Sequence, residues 1–247
     1  MNEVIRTICN HRSIRKFKNV PLTPEQVETI VRAAQMAPSS AYLQPFAVIG
    51  VTDESVKKQL AERSRCPALG DCGYLFLFCA DLYRIMAAAT DEEREMMKAN
   101  LGFSYMHSTA VLSAALALQN ANLAAESMGL GAVIVGGINS ALPELDEWLD
   151  LPEYVIPLVG LAVGTPDEWP EQKPRLPLSA VFFENKYNRR LKDAVEQFDR
   201  EVESYYETRS DNKQKANWSG KIIAMLTGDL PLEPYTAYVK QKGFALK

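Results

Sequence analysis

The apolar positions of this chain change period along its length, and each change marks an element. Val4, Ile5 and Ile8 predict a short amphipathic helix at the start. Thr23-Pro24-Glu25-Gln26 is a strong helix start. Thr23 can cap, Pro24 fits the first helical position, and Gln26 stands where a capping box needs it. Val27, Ile30, Val31 and Ala34 then keep helical spacing until Pro38, which opens the small-residue loop Ser39-Ser40-Ala41. Phe46 to Val51 reads as a strand, Asp53 caps a helix to about Arg63, and residues 64–73 read as loop. Tyr74 to Ala80 is apolar without a break, as in a strand buried on both faces.

Thr90 with Glu93 predicts a second capping box. The helical stretch beyond it breaks near Gly102, and its long apolar part ends at Met128-Gly129, glycine being the usual stop. Ala132 to Val135 is a short buried strand running into Gly136-Gly137. A helix around Pro143–Leu149 and a strand at Val155–Val163 follow. Residues 164–177 hold Pro166, Pro170, Pro174 and Pro177 and read as loop. A polar helix at 191–208, a basic loop at 209–217 and short helices at 219–226 and 235–242 complete the chain. There is no internal repeat, low-complexity tract or linker, so the pattern describes one α+β domain with a C-terminal extension.

Composition narrows the classes. In 247 residues, 47% hydrophobic and 23% charged content is ordinary for a globular protein. A net charge of −4 lacks the basic field of a nucleic-acid binder, so local basic clusters are sites for small anions or solvated faces. The low-charge run Ser108–Ala125 is interrupted by Ser113, Gln119, Asn120 and Asn122, which suits a buried helix better than a membrane span. Glu3 and Arg6 near the start, with no apolar run, do not read as a signal peptide. Cys9, Cys66, Cys72 and Cys79 show no CxxC spacing, and the only histidines are His11 and His107. Neither a metal site nor a disulfide framework is expected, and a cytoplasmic setting follows.

The common catalytic motifs are missing. There is no GxxxxGK[ST], GxSxG or HExxH. Gly129-Leu130-Gly131 follows a helix and precedes a strand, the wrong order for a dinucleotide fingerprint. Ser39 and Ser40 have no evident histidine base. What remains is a distributed set at loops and strand ends: 11–15, 39–44, 136–137 and 173–175. In His11-Arg12-Ser13-Ile14-Arg15 two guanidiniums, a hydroxyl and an imidazole make a compact group of anion donors, or else a solvated basic turn. Gly136-Gly137 either lets a flat ring approach the main chain or forms a tight turn. Lys173 and Arg175 either grip an anion or decorate a proline-rich loop.

The chain as a whole resembles the nitroreductase family, nearest its oxygen-insensitive NADPH nitroreductase and flavin reductase P branch. The resemblance rests on His11-Arg12-Ser13-Ile14-Arg15-Lys16-Phe17, Ala37-Pro38-Ser39-Ser40-Ala41-Tyr42-Leu43-Gln44, Phe78-Cys79-Ala80-Asp81, Gly129-Leu130-Gly131 with Gly136-Gly137, and Lys173-Pro174-Arg175-Leu176-Pro177. It runs nearly end to end, down to the segment from Tyr205-Tyr206 to Trp218, with the motifs in the same order.

The resemblance implies an FMN enzyme with a central mixed, mostly antiparallel sheet flanked by helices. It implies an intertwined homodimer with flavin at the interface, residues 185–247 forming an extension that wraps the partner subunit. His11, Arg12, Ser13 and Arg15 would hold the FMN phosphate, ribityl chain and pyrimidine edge, Arg15 also tuning the ring. Ser39 and Ser40 would line the flavin from the facing side, Gly136 and Gly137 would offer backbone N–H groups, and Lys173 and Arg175 would complete the anion contacts. Arg209, Lys213 and Lys215 would receive the 2′-phosphate of NADPH, with NADH the alternative donor.

The chain departs from the family pattern at two positions. Cys66 stands where a flavin-contacting glutamine is usual, and Gln214 where a second arginine is usual. The implied activity is two-electron, ping-pong reduction of small oxidants: nitro compounds, quinones or free flavins. A dedicated flavin reductase serving a partner enzyme, or a non-catalytic flavin carrier, are the alternatives.

Overall fold

The computed structural model describes residues 1–245 and 247. Its frame is a four-stranded sheet of β1 (Phe46–Val51), β2 (Tyr74–Asp81), β3 (Gly131–Val135) and β4 (Val155–Gly164), in the order β1-β2-β4-β3. All three pairings are antiparallel, so the mixed character expected for the sheet does not extend to these four strands. The register fixes two ends. At one, Phe46 lies opposite Ala80 and Ala80 opposite Ile156; at the other, Tyr74 and Ala132 both lie opposite Val163.

Two packed layers follow from the period of β2, whose alternate side chains point to opposite faces. Phe76 and Phe78 enter one apolar cluster with Leu161 and Val163. Leu75 and Leu77 enter the other with Val133, Val135 and Ile156. The helices are α1 (Glu3–Cys9), α2 (Pro24–Gln35), α3 (Glu54–Arg63), α4 (Ala68–Asp71), α5 (Tyr83–Ala87), α6 (Asp91–Leu101), α7 (Ser104–Ser127), α8 (Leu142–Leu149), α9 (Lys192–Thr208), α10 (Trp218–Thr227) and α11 (Glu233–Gln241). The first cluster is covered by α2 and α7, and the second by α3, α4, α8 and α11.

Helix α7 lies close to the sheet because Ala114, Ala117, Ala121 and Ala125 form its buried stripe and add little bulk. Both expected capping boxes form, Thr23 with Gln26 on α2 and Thr90 with Glu93 on α6. The expected break at Gly102 separates α6 from α7. Helix α4 interrupts the stretch read as loop between 64 and 73, and α5 follows β2 directly. Both are too short to carry a helical period, which is why the pattern did not reveal them. Among the described residues no single helix is long and apolar enough to cross a membrane. Helices α6 and α7 together meet that test, but they are bent by 89° at their junction.

The chain divides into two compact units, residues 1–169 with 233–247, and residues 170–232. The stretch 185–247, read from the sequence as one extension, is therefore shared between them. In the first unit, Asp146 of α8 accepts from Tyr238 Oη at 2.6 Å and Lys242 Nζ at 3.2 Å, tying the end of the chain back to the core. In the second, α9 and α10 pack through Phe198 against Trp218, and the Ser219 hydroxyl donates to Asp199.

Candidate active site

The segment 11–18 is laid against the end of the sheet by the backbone. Ile14 N donates to Ala132 O at 2.9 Å, Lys18 N to Thr165 O at 2.9 Å, and Asp167 N to Lys16 O at 2.9 Å. The Ile14 side chain is 2% exposed and rests on Gly131, where a Cβ would come within 2.8 Å of it. Gly131 is thus a site of close approach between two backbones, a use that a search for dinucleotide motifs could not find. Because the segment is extended, burying Ile14 turns its neighbours Ser13 and Arg15 the other way.

Two carboxylates hold the segment. Glu126, near the end of α7, meets His11 Nδ1 at 2.5 Å and also accepts from Asn122 Nδ2 at 3.1 Å. Glu168 accepts from the backbone N–H of Arg15 at 2.8 Å and of Lys16 at 3.2 Å. Neither stood out in the sequence, since an isolated glutamate 115 or 153 residues away carries no local signal.

Between these braces, Arg12 Nε is buried with no hydrogen-bond partner. A desolvated guanidinium N–H without an acceptor is costly, and an anion there removes the penalty. The residues present therefore fit a phosphate-bearing group. The Arg15 side chain is exposed and donates weakly to Ser13 O at 3.4 Å, so it is available for a ligand.

Gly136 and Gly137 open a 3-10 turn over Gly136–Ala141 that follows β3, so their N–H groups precede its hydrogen-bonded part. The two differ. A Cβ on Gly136 would meet nothing within 4 Å, leaving room for a flat group, whereas one on Gly137 would lie 3.1 Å from Ser64 O. Cys66 follows two residues later, with Arg65 at φ 51°. The Gly-Gly turn and the Cys66 loop are therefore neighbours, and an ion pair between Arg63 and Glu144 closes the same corner. The Cys66 side chain is part-exposed. By contrast, Cys72 and Cys79 are buried, and burial pushes their thiols up to about 11 and about 12, away from any thiolate role.

Ser39 and Ser40 lie elsewhere. Ser39 Oγ accepts from Gln44 N at 3.0 Å, and the loop joins β1 at Phe46. Arg84, paired with Asp81 at 2.9 Å, donates to Gln44 O and Phe46 O and clamps the loop's exit. Ala41, Tyr42 and Gln44 all have left-handed φ, near 49°, 58° and 49°, so this loop stores backbone strain of the kind found at functional sites. It sits at the Phe46–Ala80–Ile156 end of the sheet, and the 11–15 segment at the Val163 end. From Ile156 to Val163 is roughly 20 Å of strand. One chain does not bring these two walls together.

In the second unit, Lys173 and Arg175 are exposed. Arg175 Nη1 donates to Lys173 O at 2.9 Å, which orders the proline-bounded turn. Arg209 lies over the rings of Tyr206, at 4.8 Å, and Tyr205, at 5.8 Å, and donates to Asn212 O. Lys221 of α10 approaches the Tyr206 ring at 4.2 Å and donates to Gln214 Oε1 at 2.7 Å. It adds a cation that the sequence reading missed, because it lies outside the basic loop. Lys213 and Lys215 are exposed. The Ser210 hydroxyl and amide hold the Glu171 carboxyl below the usual carboxylate range and pin the start of this loop. Among the described residues no group of histidines, cysteines and carboxylates is arranged to hold a metal.

Comparison with known proteins gives this arrangement its context. Residues 8–165 match the nitroreductase family and residues 173–247 match the nitroreductase family C-terminal domain. The FMN reductase (NADPH) of Bacillus subtilis strain 168 is 41% identical over 99% of both chains. The NADPH-flavin oxidoreductase of Vibrio harveyi is 36% identical over 99% of both. Among solved structures, the NfrA1 nitroreductase from B. subtilis superposes with a TM-score of 0.93 at 40% identity, covering 99% of this chain and all of that one. The V. harveyi NADPH:FMN oxidoreductase in complex with NAD+ superposes at 0.89 with 34% identity over the whole of both chains. With family matches that take in both the segment 11–18 and the basic loops, this chain belongs to the nitroreductase family.

Proposed function

We propose that this protein is an FMN-dependent NADPH oxidoreductase, able to use NADH less well, that passes two electrons to nitro compounds, quinones or free flavins. The observation that carries the reading is the buried, unpartnered Arg12 Nε in a segment already fixed at both ends. FMN, when bound, supplies the hydride chemistry. This chain's residues bind and orient it. Arg12 and His11 take the phosphate, Ser13 the ribityl hydroxyls, and Arg15 the ring edge, where its fixed positive charge favours electron density on the reduced ring. Gly136 leaves room for the ring at the main chain, with Cys66 beside it in place of an amide side chain. Within the second unit, Lys173 and Arg175 present positive charge to an anion, and Arg209, Lys213 and Lys215 receive the nucleotide's 2′-phosphate.

A second copy of the chain completes the site. Ser39 and Ser40 are at the wrong end of their own sheet to face Arg12, which a homodimer resolves by pairing the two walls across its interface. Surfaces for such pairing are present. Leu112 and Leu116 form an exposed stripe on α7, and Val4, Ile5 and Ile8 leave α1 without a buried face. Residues 185–232, with Tyr187, Ile223 and Leu226 exposed, wrap the partner. Among the described residues no cysteine forms a disulfide, which suits a reducing cytoplasm.

The test is to purify the protein, record its flavin spectrum and its mass in solution, and follow NADPH oxidation with a nitroaromatic, a quinone or FMN as acceptor. A yellow dimer giving parallel double-reciprocal lines supports the reading. A colourless protein that neither binds FMN nor oxidises NADPH with any acceptor refutes it. Bound flavin with no turnover leaves the carrier in its place.

A further inference from the structure

We propose that Glu126 is a positioning residue for flavin binding. It holds His11 with Nδ1–H directed at the carboxylate and so reserves Nε2 for the phosphate-ribityl portion of FMN. The inference deepens the FMN reading and rests on it.

The argument starts from hydrogen-bond direction. Asn122 Nδ2 can only donate, so Glu126 Oε1, 3.1 Å away, accepts. The same oxygen is 2.5 Å from His11 Nδ1. An ionised carboxylate has no proton to give, so the proton in the short contact is on Nδ1. That fixes which ring nitrogen remains for a ligand, as a carboxylate does when it orients a metal-bound histidine from behind. Glu126 is shielded, its side chain 12% exposed, and its neighbour Asn122 is fully buried, so water does not compete well for the oxygen. The two residues are 115 positions apart, so the pair also fastens the start of the segment 11–18 to α7.

The arrangement has a consequence for binding. With Nδ1–H committed to Glu126, Nε2 is the ring nitrogen left to face the phosphate–ribityl portion of FMN. Without a carboxylate at 126 the ring loses the acceptor that fixes its direction, and FMN affinity should fall.

The experiment titrates flavin-stripped protein with FMN at pH 6.5, read by quenching of flavin fluorescence. The proteins are wild type, His11→Asn, Glu126→Gln, Glu126→Asp, the double variant His11→Asn/Glu126→Gln, and Arg12→Gln as a control for the site. Glutamine keeps an acceptor for Asn122, so folding is preserved, and apo-protein melting curves check it. Removing the charge should weaken FMN binding about tenfold at pH 6.5, as for one charge-assisted bond. The double variant should be no weaker than the weaker single one. Glu126→Asp, charged but shorter, should fall between wild type and Glu126→Gln.

If His11→Asn and Arg12→Gln weaken FMN binding while Glu126→Gln matches wild type in affinity, the proposal is overturned and the FMN reading stands. Additive losses in the double variant would overturn it equally. If neither His11→Asn nor Arg12→Gln changes FMN affinity, the FMN reading itself fails.

Discussion

Two basic regions of this molecule are built in opposite ways. The segment 11–18 lies against the sheet through main-chain hydrogen bonds, has Ile14 in the core, and is held by Glu126 and Glu168. The region around Arg209 is exposed, its cations resting on the faces of Tyr205 and Tyr206 and on carbonyl or amide oxygens of its own loop. The first is preorganised around a buried donor that needs an anion. The second presents charge that water and salt screen. A resident cofactor suits the first and a nucleotide that must come and go suits the second, because rigidity strengthens binding while looseness permits release.

The largest effect should come from Arg12→Gln. Losing a buried charge-assisted donor is worth about 2–3 kcal/mol, or roughly a hundredfold weaker FMN binding by fluorescence titration. Next is Gly131→Ala, whose methyl would sit 2.8 Å from Ile14 and push the segment off the sheet. Overpacking of this kind costs about 1–3 kcal/mol, read as a lower Tm together with weaker FMN binding. A lower Tm with unchanged FMN affinity would separate the segment from the site. Arg209→Gln should raise the NADPH KM roughly tenfold and leave FMN affinity and the NADH KM unchanged, as for one exposed phosphate contact. An equal rise for both nucleotides would mean that the loop does not read the 2′-phosphate.

Smaller still is Thr23→Ala, which breaks the capping box of α2 and should cost about 1 kcal/mol in chemical denaturation without touching either region. The least is Glu171→Gln. Bonds from Ser210 hold this carboxyl below its usual range, so they favour the ordered loop at pH above the unfolded carboxylate pKa. That contribution is lost as pH falls through the depressed folded value. The variant should show a slight rise in NADPH KM at neutral pH that disappears in acid.

Much of this contrast is invisible to a sequence. Local signals were read correctly where one turn decides the outcome, as at Thr23-Pro24 and Thr90, or where a run is apolar throughout, as in β2. His11 to Arg15 was visible as a cluster of donors, but whether it was a solvated turn or a site depended on contacts far away in the chain. Glu126, Glu168 and Ala132 supply them, and none is within a hundred residues of the segment. Lys221 was missed for the same reason, being brought to Tyr206 by the packing of α10 on α9. The separation of Ser39 from Arg12 depends on strand order, which no local pattern encodes.

The central claim is that the rigid region holds a flavin that NADPH reduces, and that the exposed region reads the 2′-phosphate of that nucleotide. It is tested most directly by mixing FMN-loaded protein with NADPH under anaerobic conditions and following flavin absorbance. The account predicts rapid, stoichiometric bleaching by NADPH, slower bleaching by NADH, and NADPH bleaching slowed to the NADH rate in Arg209→Gln. Protein that binds FMN but is bleached by neither nucleotide would contradict it.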